Sequence, residues 1–133
     1  MQYIVNPFCH NIGYPIDYPL YLIEGDTWAG FSFQLQLGYT TPPVYQDLTG
    51  ASVVMQIRKN TNEEPLLTLS TTNGGITIGS PATNGIITIN PVKISFGPSL
   101  APYSYDIPIT LSNNTTTTYF GGLVYIQPKI THA

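Results

Sequence analysis

Charge is what this chain has least of. Asp, Glu, Lys and Arg together make up 8 % of its 133 residues, against about 25 % in an ordinary soluble domain. Only four residues are basic, Arg58, Lys59, Lys93 and Lys129, and the net charge is −3. So few scattered cations cannot neutralise a run of phosphates, which argues against nucleic acid as a partner. A single cysteine, Cys9, rules out an intrachain disulfide and suits folding in a reducing compartment. No apolar run is long enough for a membrane-spanning helix. Met1–Val5 lacks the basic start and apolar core of a secretory signal, so synthesis in the cytoplasm is expected. A sustained 3.6-residue period is also missing, which removes long helices from the fold.

Catalytic parts are equally scarce. The two histidines, His10 and His132, lie near the ends of the chain. Cys9 and His10 are adjacent, and neighbours on an extended chain point to opposite sides, so they make a poor nucleophile–base pair. Asp26 and Asp106 are the carboxylates nearest to strands, but each has a structural explanation. Asp26 sits in a Gly-Asp-Thr turn, and Asp106 alternates outward between Tyr105 and Ile107. The chain has no zinc spacing, phosphate loop or dinucleotide fingerprint. A loop calcium site built on Asp17 and Asp47 has little to recommend it. The expectation is a protein that is not an enzyme, with no catalytic residues, no bound metal and no cofactor.

What the sequence does have is period-two alternation. Phe31, Phe33, Leu35 and Leu37 face one way while Ser32, Gln34 and Gln36 face the other. Val53, Met55 and Ile57 repeat the pattern. The spacing predicts strands over 18–23, 28–37, 51–59, 66–70, 76–78, 86–89, 103–111 and 119–130. Asn73-Gly74 and Asn84-Gly85 are turn dipeptides that tolerate positive φ, and each should close a hairpin or tight bend. Residues 91–102 are the one stretch with room for a helical turn. About eight or nine short strands at this spacing predict an all-β fold: an antiparallel β-sandwich, Ig-like or jelly-roll-like, over 19–133. Residues 1–18 read differently, as an extended N-terminal arm. Pro7, Gly13 and Pro15 interrupt it, and Tyr3, Phe8, Tyr14 and Tyr18 stud it. Proline-rich chain docks at low entropic cost and aromatic rings bury much area, so those four aromatics are the candidate protein-interaction residues.

Several segments, taken in order, carry a family resemblance. They are Glu24-Gly25-Asp26-Thr27, the alternation from Phe31 to Leu37, and Asp47-Leu48-Thr49-Gly50-Ala51 leading into Val53–Lys59. After these come Asn73-Gly74-Gly75-Ile76-Thr77-Ile78, Asn84-Gly85-Ile86-Ile87-Thr88-Ile89, Tyr105–Thr110 and Gly121–Thr131. Over residues 19–131 the chain resembles a small all-β structural domain of tailed bacteriophage virion proteins, of the tail, baseplate or capsid-decoration type. The resemblance implies a non-enzymatic virion subunit, made in the host bacterial cytoplasm, whose partners are copies of itself and other virion proteins. The low charge agrees, because protein interfaces are depleted of charge and enriched in aromatics. The alternative is a carbohydrate-binding or host-receptor-binding sandwich. Tyrosines, Asn and Thr suit glycan recognition, and the expected platform is Trp28 or the Tyr39/Tyr45 loop.

Overall fold

A computed structural model describes residues 2–5, 16–37 and 41–131. It is all-β and sandwich-like, as the alternation predicts. The strands, in chain order, are β1 (Gln2–Val5), β2 (Ile16–Asp17), β3 (Leu20–Ile23), β4 (Thr27–Trp28), β5 (Phe31–Leu37), β6 (Val44–Tyr45) and β7 (Ser52–Arg58). They continue with β8 (Leu67–Ser70), β9 (Ile76–Ile78), β10 (Ile86–Ile89), β11 (Val92–Lys93), β12 (Tyr103–Thr110) and β13 (Thr116–Gln127). One sheet runs β1-β5-β10-β9, with β6 added on β5; the other runs β2-β13-β12-β7-β8, with β3 added on β13. β4 and β11 form a two-stranded ribbon.

The sheets meet through the inward half of each alternation. Phe33, Val53, Met55, Ile57, Ile87, Ile89 and Val124 are fully buried. Phe33 of one sheet lies 4.7 Å from Phe120 of the other, ring centroid to centroid, and Phe31 lies 5.6 Å from the same ring. Ile107 and Ile109 bring β12 into the same cluster.

Three local features depart from the simplest reading of the sequence, and one turn resolves between two expected forms. The strand expected over 28–37 breaks at Gly30, whose φ of +72° turns the chain from β4 into β5. Asn73-Gly74 takes the second of the two forms expected of it, a tight bend, and carries the chain from β8 in one sheet to β9 in the other. No helical turn forms over 91–102. Val92 and Lys93 bridge to Trp28 and Thr27, and the one 3-10 turn among the described residues spans Ala82–Asn84. Pro108 stands in the middle of β12, a strand flanked on both sides, and is accommodated by a bulge where the pairing with β13 shifts between Ile107 and Pro108.

The N-terminal residues also differ from the expected arm. β1 pairs with β5 in parallel, placing Tyr3 opposite Phe33, and β2 pairs with β13 in parallel at Phe120 and Gly121. Residues 2–5 and 16–17 are therefore strands of the two sheets. The topology permits parallel pairing: β1 and β2 are not joined to β5 and β13 by tight turns, so nothing forces the antiparallel direction.

Candidate functional site

The most distinctive surface lies on the outer side of the second sheet, along β3 and β13. Leu20 and Leu22 point into the core, so alternation sends Tyr21 and Ile23 outward. β3 pairs in parallel with β13, which puts Tyr21 directly opposite Tyr125. The two rings stack, with centroids 5.2 Å apart and planes 11° from parallel. Tyr21 remains 74 % exposed and Tyr125 38 % exposed. Ile23 and Leu123 extend the patch as exposed aliphatics. A groove of about 510 Å³ runs between Tyr21–Ile23 and Tyr125–Gln127. The nearest ionised pair, Lys129 Nζ to Asp26 Oδ1 at 2.6 Å, neutralises itself at the end of the patch.

Across the same sheet the outer face becomes polar. A shallow trough of about 590 Å³ is lined by Gln56, Arg58, Asn60, Ser104 and Asp106, among others. The Arg58 guanidinium donates to Gln56 Oε1 and to the Glu63 carbonyl, which fixes it in place. Partial burial pushes the Asp106 carboxyl above the usual carboxylate range, and the nearby Arg58 charge opposes that rise. Asp47 is held low instead, because the Thr49 hydroxyl and backbone N–H both donate to its Oδ1. Three of the four carboxylates considered for chemistry thus have structural surroundings. Asp26 pairs with Lys129, Asp47 closes a turn, and Asp106 lies beside Arg58. Among the described residues no group of three or more His, Cys, Asp or Glu is placed to hold a metal ion.

The aromatics expected to make contacts are dispersed. Phe8 and Tyr14 lie outside the described residues, and Tyr3 is placed only by its backbone in β1. The Tyr18 ring packs 5.3 Å from Phe31 and 6.1 Å from Phe120, within its own domain. Its carbonyl accepts a hydrogen bond from the buried Tyr105 hydroxyl, whose pKa is pushed up by burial first and by Tyr18 and Asp17 next. Of the expected glycan platforms, Trp28 is half-buried with its ring 6.1 Å from Phe31. Tyr45 is half-buried on β6, and Tyr39 lies outside the described residues. The exposed pair is Tyr21 and Tyr125, two residues 104 positions apart that only the parallel pairing of β3 with β13 unites. The sequence signal for Tyr21 was its outward place in Leu20-Tyr21-Leu22-Ile23, where a polar residue would be ordinary.

No protein-family model matches the chain, and no curated protein sequence matches it. Among solved structures it is similar to "Drosophila OTK, extracellular domains 3-5", at 12 % identity and a TM-score of 0.35. The match covers 84 % of this chain and 33 % of that one, so the chain spans about a third of that structure's length.

Proposed function

We propose that this chain is a non-enzymatic structural subunit of a bacteriophage virion, in the tail, the baseplate or the capsid surface. It acts there by associating with copies of itself and by bridging neighbouring virion proteins. The observation that carries the reading is the uncharged, exposed face of Tyr21, Ile23, Leu123 and Tyr125 on a chain with 8 % charged residues. Aromatic and aliphatic side chains grouped this way on a sheet mark a surface that a partner covers. The sequence resemblance over 19–131 supplies the virion context. Mass spectrometry of purified particles is the test: the reading requires this chain at a fixed stoichiometry to the major virion proteins. Its absence from particles made by cells that express it overturns the proposal.

The stacked Tyr21–Tyr125 pair also favours a second reading, in which the domain binds a glycan on the host surface. Offset tyrosine rings offer an apolar face to a sugar ring. That reading expects a glycan-array signal that Tyr125→Ala abolishes, and a blank array on the assembled particle removes it.

A further inference from the structure

The polar trough on the outer face of the second sheet is built by two neighbouring strands. Its floor is β12, where Ser104 and Asp106 alternate outward. The β7 bank sets Arg58 opposite Ser104 and Gln56 opposite Asp106. The 59–63 turn closes one end, fastened by Asn60 Nδ2 on Glu63 Oε1 and by Asn62 N–H on Asn60 Oδ1. On the other side, β13 places Gly121 opposite Asp106 and the exposed Leu123 opposite Ser104. Gly121 has no side chain to fill the space beside the Asp106 carboxylate.

The hydrogen bonds within the trough leave donors on one bank and acceptors on the other. A guanidinium has five N–H donors. Those of Arg58 Nε and Nη2 reach Gln56 Oε1 at 3.3 and 2.8 Å, and Nη1 donates to the Glu63 carbonyl. One N–H on each Nη remains. Gln56 spends its oxygen on Arg58, so its Nε2 group keeps both donors. Across the trough, Asp106 makes neither a hydrogen bond nor an ion pair among the described residues, and Ser104 Oγ makes no hydrogen bond. Arg58 acts on Asp106 through space alone. A guanidinium and a carboxylate on strands about 4.8 Å apart thus stay separate, because Gln56 and the Glu63 carbonyl hold the fork on its own bank.

We propose that this trough binds a saccharide, with one ring hydroxyl donating to Asp106 and its neighbour accepting from Arg58 and Gln56. The lining argues against other classes. No aliphatic side chain lines it, and the Tyr105 ring is buried on the inner face, so a protein partner finds no apolar anchor. An anion would meet the Asp106 carboxylate, and a cation would meet Arg58 and Lys59. A neutral ligand that donates and accepts at adjacent atoms satisfies both banks, and vicinal hydroxyls do that. Leu123, one strand on, offers a surface for the C–H face of the ring. The sugar replaces water on groups that are already hydrated. Arg58 is fixed before the ligand arrives, so little side-chain freedom is lost. The site is separate from the Tyr21–Tyr125 stack and depends on neither reading proposed above.

The experiment titrates the full chain with the methyl glycosides of glucose, galactose, mannose and N-acetylglucosamine. Amide proton–nitrogen correlation spectra read the binding. At least one sugar should give saturable shifts at residues 56–58 and 104–106. Asp106→Ala should weaken that sugar at least about tenfold, the loss of hydrogen bonds to a charged group. Arg58→Lys keeps the charge and removes the fork, and should weaken it about threefold or more. Tyr125→Ala should leave the affinity unchanged. Asp106 has no hydrogen bond to lose, so Asp106→Ala is expected to fold, and circular dichroism verifies each variant. The proposal is overturned if none of these sugars shifts the trough amides, if Asp106→Ala binds like the parent, or if Tyr125→Ala loses the sugar. Saturable shifts confined to Tyr21 and Tyr125 also overturn it and support the tyrosine platform instead. Incorporation into particles is read separately, so an empty trough leaves the structural role standing.

Discussion

Gly30 gives the sharpest test of the packing between β4, β5 and β10. Its φ is +72°, a region that costs an L-residue about 1–2 kcal/mol. A Cβ there would also lie 1.9 Å from the carbonyl oxygen of Ile89 and 2.9 Å from its carbon. The neighbour is backbone, and Ile89 is the ladder partner of Phe31, so relief means prising β10 from β5. Losing one or two ladder hydrogen bonds adds about 1 kcal/mol each, and disturbing the buried Ile89 and Phe31 side chains adds about 1–2 more. Gly30→Ala should therefore cost about 3–6 kcal/mol. Gly25→Ala is the matched control: φ is +86°, but nothing lies within 4 Å of the added Cβ, so only the backbone term of about 1–2 kcal/mol applies. Urea denaturation of both variants, followed by far-ultraviolet circular dichroism, measures the difference. Equal losses would refute the reasoning, because they would mean the β5–β10 contact at Ile89 is not as close as described.

The alternation along β5 makes a second test: Phe33→Ala should cost about 3–5 kcal/mol, since the ring is fully buried against Phe120. Gln34→Ala, which loses one exposed bond to the Asn84 carbonyl, should cost no more than about 1 kcal/mol by the same denaturation assay. Asp106 sets a pH dependence. Its folded pKa lies above the unfolded value, so the folded state binds more protons and stability falls as pH rises through that window. Asp106→Asn should flatten that slope in melts taken across the acid range, and an unchanged slope would remove the assignment. Deleting residues 1–18 should lower stability by at least about 3 kcal/mol, because it strips the β1 and β2 ladders and the Tyr18 ring from the sandwich. A truncated chain that melts like the full one would show those strands to be dispensable.

Most of the fold was legible because burial enforces the period of two. Val53, Met55 and Ile57 could be assigned inward from the sequence alone, since a one-residue slip would turn all three to water. What could not be read was pairing direction and partner choice. Asn73-Gly74 looks the same whether the next strand returns beside β8 or crosses to the facing sheet, because the dipeptide sets only local φ. Gly30 was hidden for a similar reason. It falls between Trp28 and Phe31, where the apolar pattern continues, and only the neighbouring Ile89 carbonyl shows why no side chain fits. Proline punctuation misled at the other end of the chain. Pro7 and Pro15 suggested an arm, yet short parallel strands need few consecutive donors, and β1 and β2 fit beside and between such residues.

The candidate surface shows the same division between what is local and what is not. Each tyrosine could be assigned to a side of its strand, but a patch is a property of two strands. The ten tyrosines are dispersed along the chain, which argues against a single cluster, and most of those described do turn to the interior or stand alone. Tyr103 and Tyr105 are buried with their hydroxyls bonded to the carbonyls of Gly97 and Tyr18, and Tyr18 packs on Phe31 and Phe120. Those rings are spent on holding one domain together. Tyr21 and Tyr125 are not, because Leu20, Leu22 and Val124 already fill the inner face beneath them. Stacking the two rings removes part of their area from water and leaves the rest exposed on the outer face of the sheet. None of the four side chains of this face carries a charge, so the feature that first set this chain apart, its shortage of charge, and the face that the parallel β3–β13 pair builds describe the same physical property: an outer surface that is apolar where most domains place ionised groups.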